Sequence, residues 1–258
     1  MHFIKQVAAM LLIILGLQLC AQGPPVTTDK AIMLAPTTFV LKTLVEHRFT
    51  EEGNFTRIPL MVHYLPAGNL LVSAHLPFVR HSFSEESDER NGWELGDVQL
   101  LAKYQFFRKD RKGKTTRMAL KSLQSFPTGK KYGIHEMSTG NYEIYLGAVL
   151  GYETLKHGIG CELGYAYTPS ENQGELKANV GFGLPLLKPV YPVKQINLYF
   201  EYKSFWLTEQ EEGAILYAQS IQYAINQYTI ELGYQWPLAQ DLTNERTGSL
   251  FFGTRYIF

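Results

Sequence analysis

Charged residues recur at every second position in several segments of this sequence. Glu201 and Lys203 alternate with aromatic side chains, and Glu231 lies between Ile230 and Leu232. A row of carboxylates and ammonium groups on one face could form internal ion pairs, or it could line an aqueous path that orients a small polar solute. The charged residues assigned to such faces are Lys42, Glu46, Arg48, Arg57, Asp97, Lys103, Arg117, Lys121, Glu143, Glu162, Glu175, Lys177, Glu201, Lys203, Glu231 and Arg255. Nine are basic and seven are acidic, so the set would select weakly between cations and anions.

Ten of these residues are predicted to line a central path, and this prediction has an alternative. They are Asp97, Lys103, Arg117, Lys121, Glu143, Glu162, Glu201, Lys203, Glu231 and Arg255. In the first interpretation they surround water through which a solute moves. In the second they fill the interior with ion pairs and produce a closed scaffold. Because unpaired burial of a charge is costly, either water or a paired network must accompany them.

No arrangement of side chains in the sequence predicts catalysis or metal binding. None of the seven histidines is followed two residues later by serine, and the five aspartates are scattered along the chain. The His135-Glu136 pair could act as acid and base, but a solvated loop is the simpler interpretation. Zinc-binding spacings of the HExxH and CxxC kinds are missing from the sequence. The chain is therefore predicted to be no enzyme and to use no cofactor and no metal.

Two clusters of charge lie between the segments that show a regular pattern. The run Glu85-Glu86-Ser87-Asp88-Glu89 could hold a divalent ion that bridges to lipopolysaccharide, although it lacks the glycine and the ligand spacing of a calcium loop. The basic run at 108–114 could contact anionic phospholipid headgroups. An ordinary solvated loop is the alternative for both clusters.

The elements that carry the charged faces are predicted to be strands. Beyond Pro36, apolar and polar residues alternate with period two, and turn-forming residues separate the alternating segments. The twelve predicted strands are 38–50, 55–65, 69–80, 96–108, 115–126, 140–151, 157–168, 175–187, 195–207, 213–224, 227–238 and 247–258. An even number is typical of antiparallel barrels in the bacterial outer membrane.

Three features predict that the apolar face of these strands points outward into lipid. Aromatic residues gather on that face near both strand ends, as interfacial girdles require. Short connections at 67–69 and 225–227 alternate with long ones at 81–95 and 127–139. The chain ends on an alternating strand at Phe258, which resembles the C-terminal signal of outer-membrane barrels.

The predicted fold class is all-β, a single membrane-spanning antiparallel up-and-down β-barrel of about 12 strands. In hydrocarbon every backbone N–H and C=O group must be paired, and a sheet achieves this only by closing on itself. A secreted soluble barrel or sandwich, with the aromatic face inside, is the alternative because it would show the same alternation.

The N-terminus of the sequence predicts export from the cytoplasm. Lys5 precedes an apolar stretch from Val7 to Leu19, which ends beside Cys20 and Ala21, and this pattern is typical of a secretory signal peptide. Lipid modification of Cys20 is an alternative, but Leu19 then stands where a small residue is preferred. The predicted parts of the chain are a signal peptide at 1–21, a periplasmic N-terminal arm at 22–36 and the outer-membrane barrel at 37–258.

Composition excludes two further classes of protein. The 258 residues include 24 Lys+Arg and 24 Asp+Glu, so the chain lacks the basic excess of a nucleic-acid-binding protein. Its mean hydropathy of −0.13 excludes a bundle of membrane helices, since each helix would need about 20 mainly apolar residues.

Several short motifs resemble those of a known family. They are Leu95-Gly96-Asp97-Val98, Lys103-Tyr104, Phe126-Pro127-Thr128-Gly129, Ser138-Thr139-Gly140 and Gly253-Thr254-Arg255-Tyr256. With these motifs the chain resembles the outer-membrane transporter family labelled for the meta-pathway of phenol degradation. The resemblance implies a Gram-negative outer-membrane barrel that passes small compounds, aromatic or hydrophobic ones among them. It implies no catalytic residues.

The sequence therefore predicts an outer-membrane channel or transporter, with a structural or adhesive barrel as the alternative. Its expected partners are outer-membrane lipid, lipopolysaccharide, a small-molecule solute and the barrel-assembly machinery, which would recognise the C-terminal Phe258. No nucleic-acid partner is expected.

Overall fold

The computed structural model describes residues 26–51, 53–83, 92–129, 139–188 and 194–258. Within these residues the chain forms thirteen strands. They are β1 (Phe39–Thr50), β2 (Gly53–Ala67), β3 (Leu70–Phe83), β4 (Trp93–Leu95), β5 (Val98–Arg111), β6 (Lys114–Phe126), β7 (Glu143–Thr154), β8 (Gly158–Thr168), β9 (Gln173–Pro185), β10 (Lys194–Leu207), β11 (Gly213–Ile225), β12 (Tyr228–Asp241) and β13 (Arg246–Ile257). Among the residues described, no helix has the length and apolar character needed to cross a membrane.

Twelve of these strands form a closed antiparallel barrel, which confirms the predicted fold. Each strand pairs with the next, and β1 pairs with β13, where Lys42 lies opposite Arg255. The additional strand, β4, pairs with β3, and it lies in the connection before β5. Three residues are too few to show an alternation, so the sequence pattern did not predict β4.

The two faces of β12 show how the alternation places side chains. Ile230 and Leu232 are 49% and 50% exposed on the outside of the barrel, whereas Glu231 is completely buried on the inside. The other strands follow the same rule, because successive side chains of a strand point to opposite faces. The barrel therefore has an apolar exterior and a charged interior, the reverse of the soluble alternative.

The barrel has two unlike ends. One of them, here called the terminal end, carries Phe39, Phe258 and the short turns at 68–69 and 226–227. The opposite end carries the long connections from β3 to β5 and from β6 to β7. Exposed aromatic residues occur near both ends on the outer face, namely Tyr165, Tyr167, Tyr202, Trp206, Tyr234, Tyr104, Phe106, Tyr228 and Phe258.

Candidate functional site

The segment before β1, Val26–Pro36, lies largely inside the barrel and is called the arm below. Val26, Lys30 and Ala31 are at most 3% exposed, although no strand contains them. The sequence predicts a periplasmic N-terminal arm here and leaves open whether it enters the barrel. The structure shows that the described residues of the arm do enter it, and the periplasmic side of their entry stays a prediction. The physical reason for this entry is that the charged and apolar residues of the arm find partners on the inner wall.

Asp29 connects the arm to β5 and β6. Lys103 lies directly opposite Lys121 on these two strands, and like charges in that position repel each other. Oδ1 of Asp29 lies 2.8 Å from Nζ of Lys103, and Oδ2 lies 3.2 Å from Nζ of Lys121. Lys121 also pairs with Glu162 at 2.8 Å. The carboxylate of the arm thus balances two opposed ammonium groups of the wall.

Lys30 follows Asp29 in the arm and is buried against β7 and β8. Its Nζ lies 3.2 Å from Oε1 of Glu153 on β7. A Cβ atom at Gly160 would lie only 2.8 Å from Cγ of Lys30, so the missing side chain on β8 makes room for the arm. The Nζ atom also lies 5.7 Å from the centre of the Tyr199 ring, within the range of a cation–π contact.

The two threonines of the arm are held by Glu201 on β10. Oε1 of Glu201 accepts hydrogen bonds from the backbone N–H groups of Thr27 and Thr28, at 2.9 and 2.7 Å. It also accepts one from Oγ1 of Thr28 at 2.9 Å, while Oε2 accepts one from Oγ of Ser220 at 3.1 Å. The buried carboxylate therefore has partners for both oxygens, as a buried charge requires.

The arm also has an apolar anchor. Ala31 and Met33 pack with Leu65, Ala119 and Val149 in one buried cluster. Because burial of apolar surface stabilises by roughly 25 cal/mol per Å², this cluster adds to the charged contacts of the arm.

The environment of the two arm charges changes their proton affinity. Burial would raise the pKa of Asp29, but the ammonium groups of Lys103 and Lys121 outweigh that effect and hold the pKa well below its usual range. Burial lowers the pKa of Lys30, and the carboxylate of Glu153 opposes the change. Asp29 is therefore charged at neutral pH while the arm is docked.

A cavity of about 850 Å³ remains beside the arm. Its lining reaches from Asn226 at the terminal end to Thr139 at the opposite end, and Asp29 and Lys30 of the arm also contribute to it. The arm thus occupies part of the interior without filling it.

The structure places the ten predicted path residues in three groups. Seven of them line the cavity, namely Asp97, Lys103, Lys121, Glu143, Glu162, Lys203 and Arg255. Glu201 and Arg117 instead contact the arm, the latter through a 3.4 Å hydrogen bond to the carbonyl oxygen of Met33. Glu231 is buried in the wall, where it pairs with Lys42 at 3.4 Å. That any of the ten guides a solute stays a prediction.

Asp97 joins three of the motifs that carry the family resemblance. Its Oδ1 accepts a hydrogen bond from the N–H of Gly129 at 3.0 Å. Its Oδ2 accepts bonds from the N–H groups of Thr139 and Gly140 at 2.8 and 2.9 Å. Thr128 completes the cluster by donating from Oγ1 to the carbonyl oxygen of Gly96. Asp97 therefore fastens both ends of the β6–β7 connection to the start of β5.

The barrel has a fold similar to those of several solved outer-membrane proteins. An outer membrane channel from Pseudomonas putida F1 superposes with a TM-score of 0.63 at 13% identity, over 91% of this chain and all of that one. The NanC porin gives 0.57 at 13% identity, over 84% and 98% of the two chains. The β domain of a Bordetella autotransporter gives 0.50 at 11% identity, over 86% and 99%.

The fold is that of an outer-membrane β-barrel. With its apolar exterior, such a barrel belongs in the outer membrane, where hydrocarbon surrounds the exposed side chains. No protein-family model matches the chain, and no curated protein matches it either. The family label suggested by the motifs is therefore not confirmed.

Sequence reasoning missed some of the residues that dock the arm. Asp29, Lys30 and Glu153 were not among the predicted path residues, although a charged pair in an otherwise uncharged arm was a usable signal. Among the described residues, no group of three or more His, Cys, Asp or Glu side chains could hold a metal ion. The signal peptide, Cys20, the acidic run at 85–89 and the His135-Glu136 pair lie outside the described residues.

Proposed function

We propose that this protein is an outer-membrane channel for small solutes and that the arm narrows its path. One observation carries the proposal: a cavity lined by charged side chains extends between the two ends of the barrel, and the docked arm borders it. Because unpaired burial of a charge in a dry interior is costly, we expect water in the space that remains. The proposal includes the expectation that the chain is not an enzyme.

The way in which the arm is held supports a role in gating. Its polar contacts to Lys103, Glu153 and Glu201 are ion pairs and hydrogen bonds that water can replace. The apolar anchor consists of two arm residues, Ala31 and Met33. Such a segment can leave its site without disturbing the strand pairing of the barrel, because the closed sheet is complete without it.

Both charged and apolar side chains line the cavity, and this mixture points to a class of solute. The motifs resemble those of a family expected to pass aromatic or hydrophobic compounds. Charged groups line the cavity, but so do Leu71, Leu101 and Leu123. An amphipathic solute, with a polar group and an apolar body, would use both kinds of surface.

A closed structural or adhesive barrel is the second candidate, and ion pairing favours it. Lys121 with Glu162, and Lys42 with Glu231, show that part of the interior charge is already neutralised within the wall. In that case the arm would be a permanent component of the interior, and no ion would pass.

Locking the arm in place tests the proposal. A Cβ atom at Gly151 would lie 3.8 Å from the Cβ of Ala31, a separation typical of disulfides, for which the mean is about 3.8 Å. The chain with Ala31→Cys and Gly151→Cys, in a Cys161→Ala background, is reconstituted in planar bilayers. We expect little ion current when it is oxidised and at least about tenfold more after reduction.

The matched controls are the two single-cysteine chains, which should not respond to the reductant. Absence of current in the wild type and in the reduced double variant would reject the channel function in favour of the structural alternative. Equal currents in the oxidised and reduced states would show that the arm does not gate the path.

A further inference from the structure

The opposed lysines of β5 and β6 together bind one carboxylate group, that of Asp29. Lys103 and Lys121 are register partners, and each directs its ammonium group at a different oxygen of the Asp29 carboxylate, at 2.8 and 3.2 Å. Short contacts of this kind between ammonium and carboxylate are among the stronger hydrogen bonds in proteins. In the structure the arm supplies the carboxylate.

The charge balance at this place defines what could replace Asp29. Without the arm, the two lysines carry two positive charges, and Glu162, paired with Lys121 at 2.8 Å, compensates for one. One positive charge then remains uncompensated beside Lys103. A monoanion restores neutrality, whereas a neutral solute leaves the charge unpaired and a cation adds to the repulsion.

The wall next to the lysines is apolar. Leu101 and Leu123 are register partners, they form the next inward-facing pair along β5 and β6, and both line the cavity. Leu71 on β3, which lies opposite Lys103, also lines it. A carboxylate held by the lysines would therefore place any apolar body that it carries against leucine side chains.

We propose that Lys103 and Lys121 bind the carboxylate of a small solute with an apolar body, and that Asp29 occupies this site until such a solute displaces the arm. The proposal rests on the proposed channel function and names its solute class. Asp29 then acts as an internal competitor, so arrival of the solute and release of the arm are one exchange. The arm returns when the solute has left.

Direct binding tests the site independently of any ion current. Benzoate is the probe, and benzamide is the control of nearly the same shape without the charge. Isothermal titration of the detergent-solubilised full chain should show that Asp29→Asn binds benzoate at least about tenfold more tightly than the wild type, because the competitor is gone. Lys103→Gln added to Asp29→Asn should remove that gain, and benzamide should bind none of the variants measurably better than the wild type.

A second variant protects the test against misfolding of the first. Glu201→Gln weakens the hold on Thr27 and Thr28 and leaves both lysines in place. It should also raise the affinity for benzoate. Unchanged benzoate affinity in both Asp29→Asn and Glu201→Gln, or equal gains for benzoate and benzamide, would overturn the proposal.

Current measurements separate failure of this proposal from failure of the channel function. Benzoate should increase the open fraction of the wild-type channel severalfold, and benzamide should not. Lys103→Gln should abolish the response, while Lys156→Gln in the exposed β7–β8 turn should retain it. Current that responds equally to both probes rejects the carboxylate site and leaves the channel function standing. Absence of current in every variant rejects the channel function, and the binding experiment still decides the site.

Discussion

Asp29 and Asp97 are both carboxylates enclosed by the barrel, but their partners differ in kind. Asp97 accepts hydrogen bonds from backbone N–H groups of Gly129, Thr139 and Gly140, which are parts of one connection at the opposite end. Asp29 is held by the ammonium groups of Lys103 and Lys121, which border the cavity. Its partners belong to the strands of the wall, whereas Asp29 itself belongs to the arm, which lies inside the barrel and is not part of the sheet.

This difference distinguishes a structural carboxylate from a replaceable one. Backbone N–H groups around Asp97 take their positions only when the chain folds around that side chain. Lys103 and Lys121 are fixed along the wall by the pairing of β5 with β6, so both side chains stay next to the site whether or not the arm is present. Loss of Asp97 should therefore damage the fold, and loss of Asp29 should mainly release the arm.

The largest effect is expected for Asp97→Asn. Asn keeps the size but removes the charge, and hydrogen bonds to charged groups contribute about 1.5–3 kcal/mol each, so the barrel should lose about 2–4 kcal/mol of stability. Urea unfolding in liposomes measures the loss. Asp110→Asn is the control, since Asp110 lies near the terminal end with 46% of its side chain exposed and its replacement should shift the unfolding midpoint much less. Equal shifts for the two variants would contradict the structural role of Asp97.

A smaller effect, confined to the arm, is expected for Asp29→Asn. A cysteine introduced by Ala31→Cys, in a Cys161→Ala background, is buried while the arm is docked. Its reaction with a water-soluble maleimide should become about 10- to 100-fold faster with Asp29→Asn, since loss of the carboxylate charge weakens the contacts to Lys103 and Lys121 by about 1.5–3 kcal/mol in all. Asp97→Asn should leave the rate unchanged. If the two variants accelerate labelling equally, Asp29 and Asp97 do not differ in the way proposed.

The repulsion between the opposed lysines should appear as a small cost to the barrel. Without Asp29, the pairing of Lys103 with Lys121 should destabilise the sheet by up to about 1 kcal/mol, as directly opposed like charges do. Adding Lys103→Gln to Asp29→Asn should restore that amount, as measured by urea unfolding. A double variant less stable than Asp29→Asn alone would show that Asp29 does not serve to separate these charges.

The smallest effect at accessible pH values concerns protonation of Asp29. In the docked arm the pKa of Asp29 lies below its ordinary value of 3.8. The charged carboxylate therefore stabilises the docked arm fully above about pH 4, and this stabilisation is lost as the pH falls below that value. The open fraction in planar bilayers should therefore be unchanged between pH 7 and 5 by this group and should rise below about pH 4. Asp29→Asn should lack that rise. A rise of the same size in the variant would assign it to another group.

The order of the strands and the orientation of their faces could be predicted from the sequence. Alternation between Glu231 and its apolar neighbours Ile230 and Leu232 is a local pattern with period two, and it states directly which side chains share a face. The short motifs around Gly96-Asp97 and Thr128-Gly129 were likewise visible, and the structure shows that they meet. Their meeting point was not predictable, because hydrogen bonds from Gly129 and Thr139 to Asp97 span more than thirty and forty residues.

The sequence by itself thus determined the strands and the side chains that share each face, because alternation is a property of neighbours along the chain. The aromatic residues near the strand ends and the alternating loop lengths then indicated a barrel with its apolar face in lipid. Only the tertiary structure decided that the arm returns into the barrel and which charges it meets. Lys103 and Asp29 are separated by 74 residues, and Glu201 and Thr27 by 174. No local pattern predicts such pairings, because they form only when the closed sheet brings distant strands around the enclosed arm. Since an unpaired buried charge is costly, each charge of the arm is then paired with a charge of the wall.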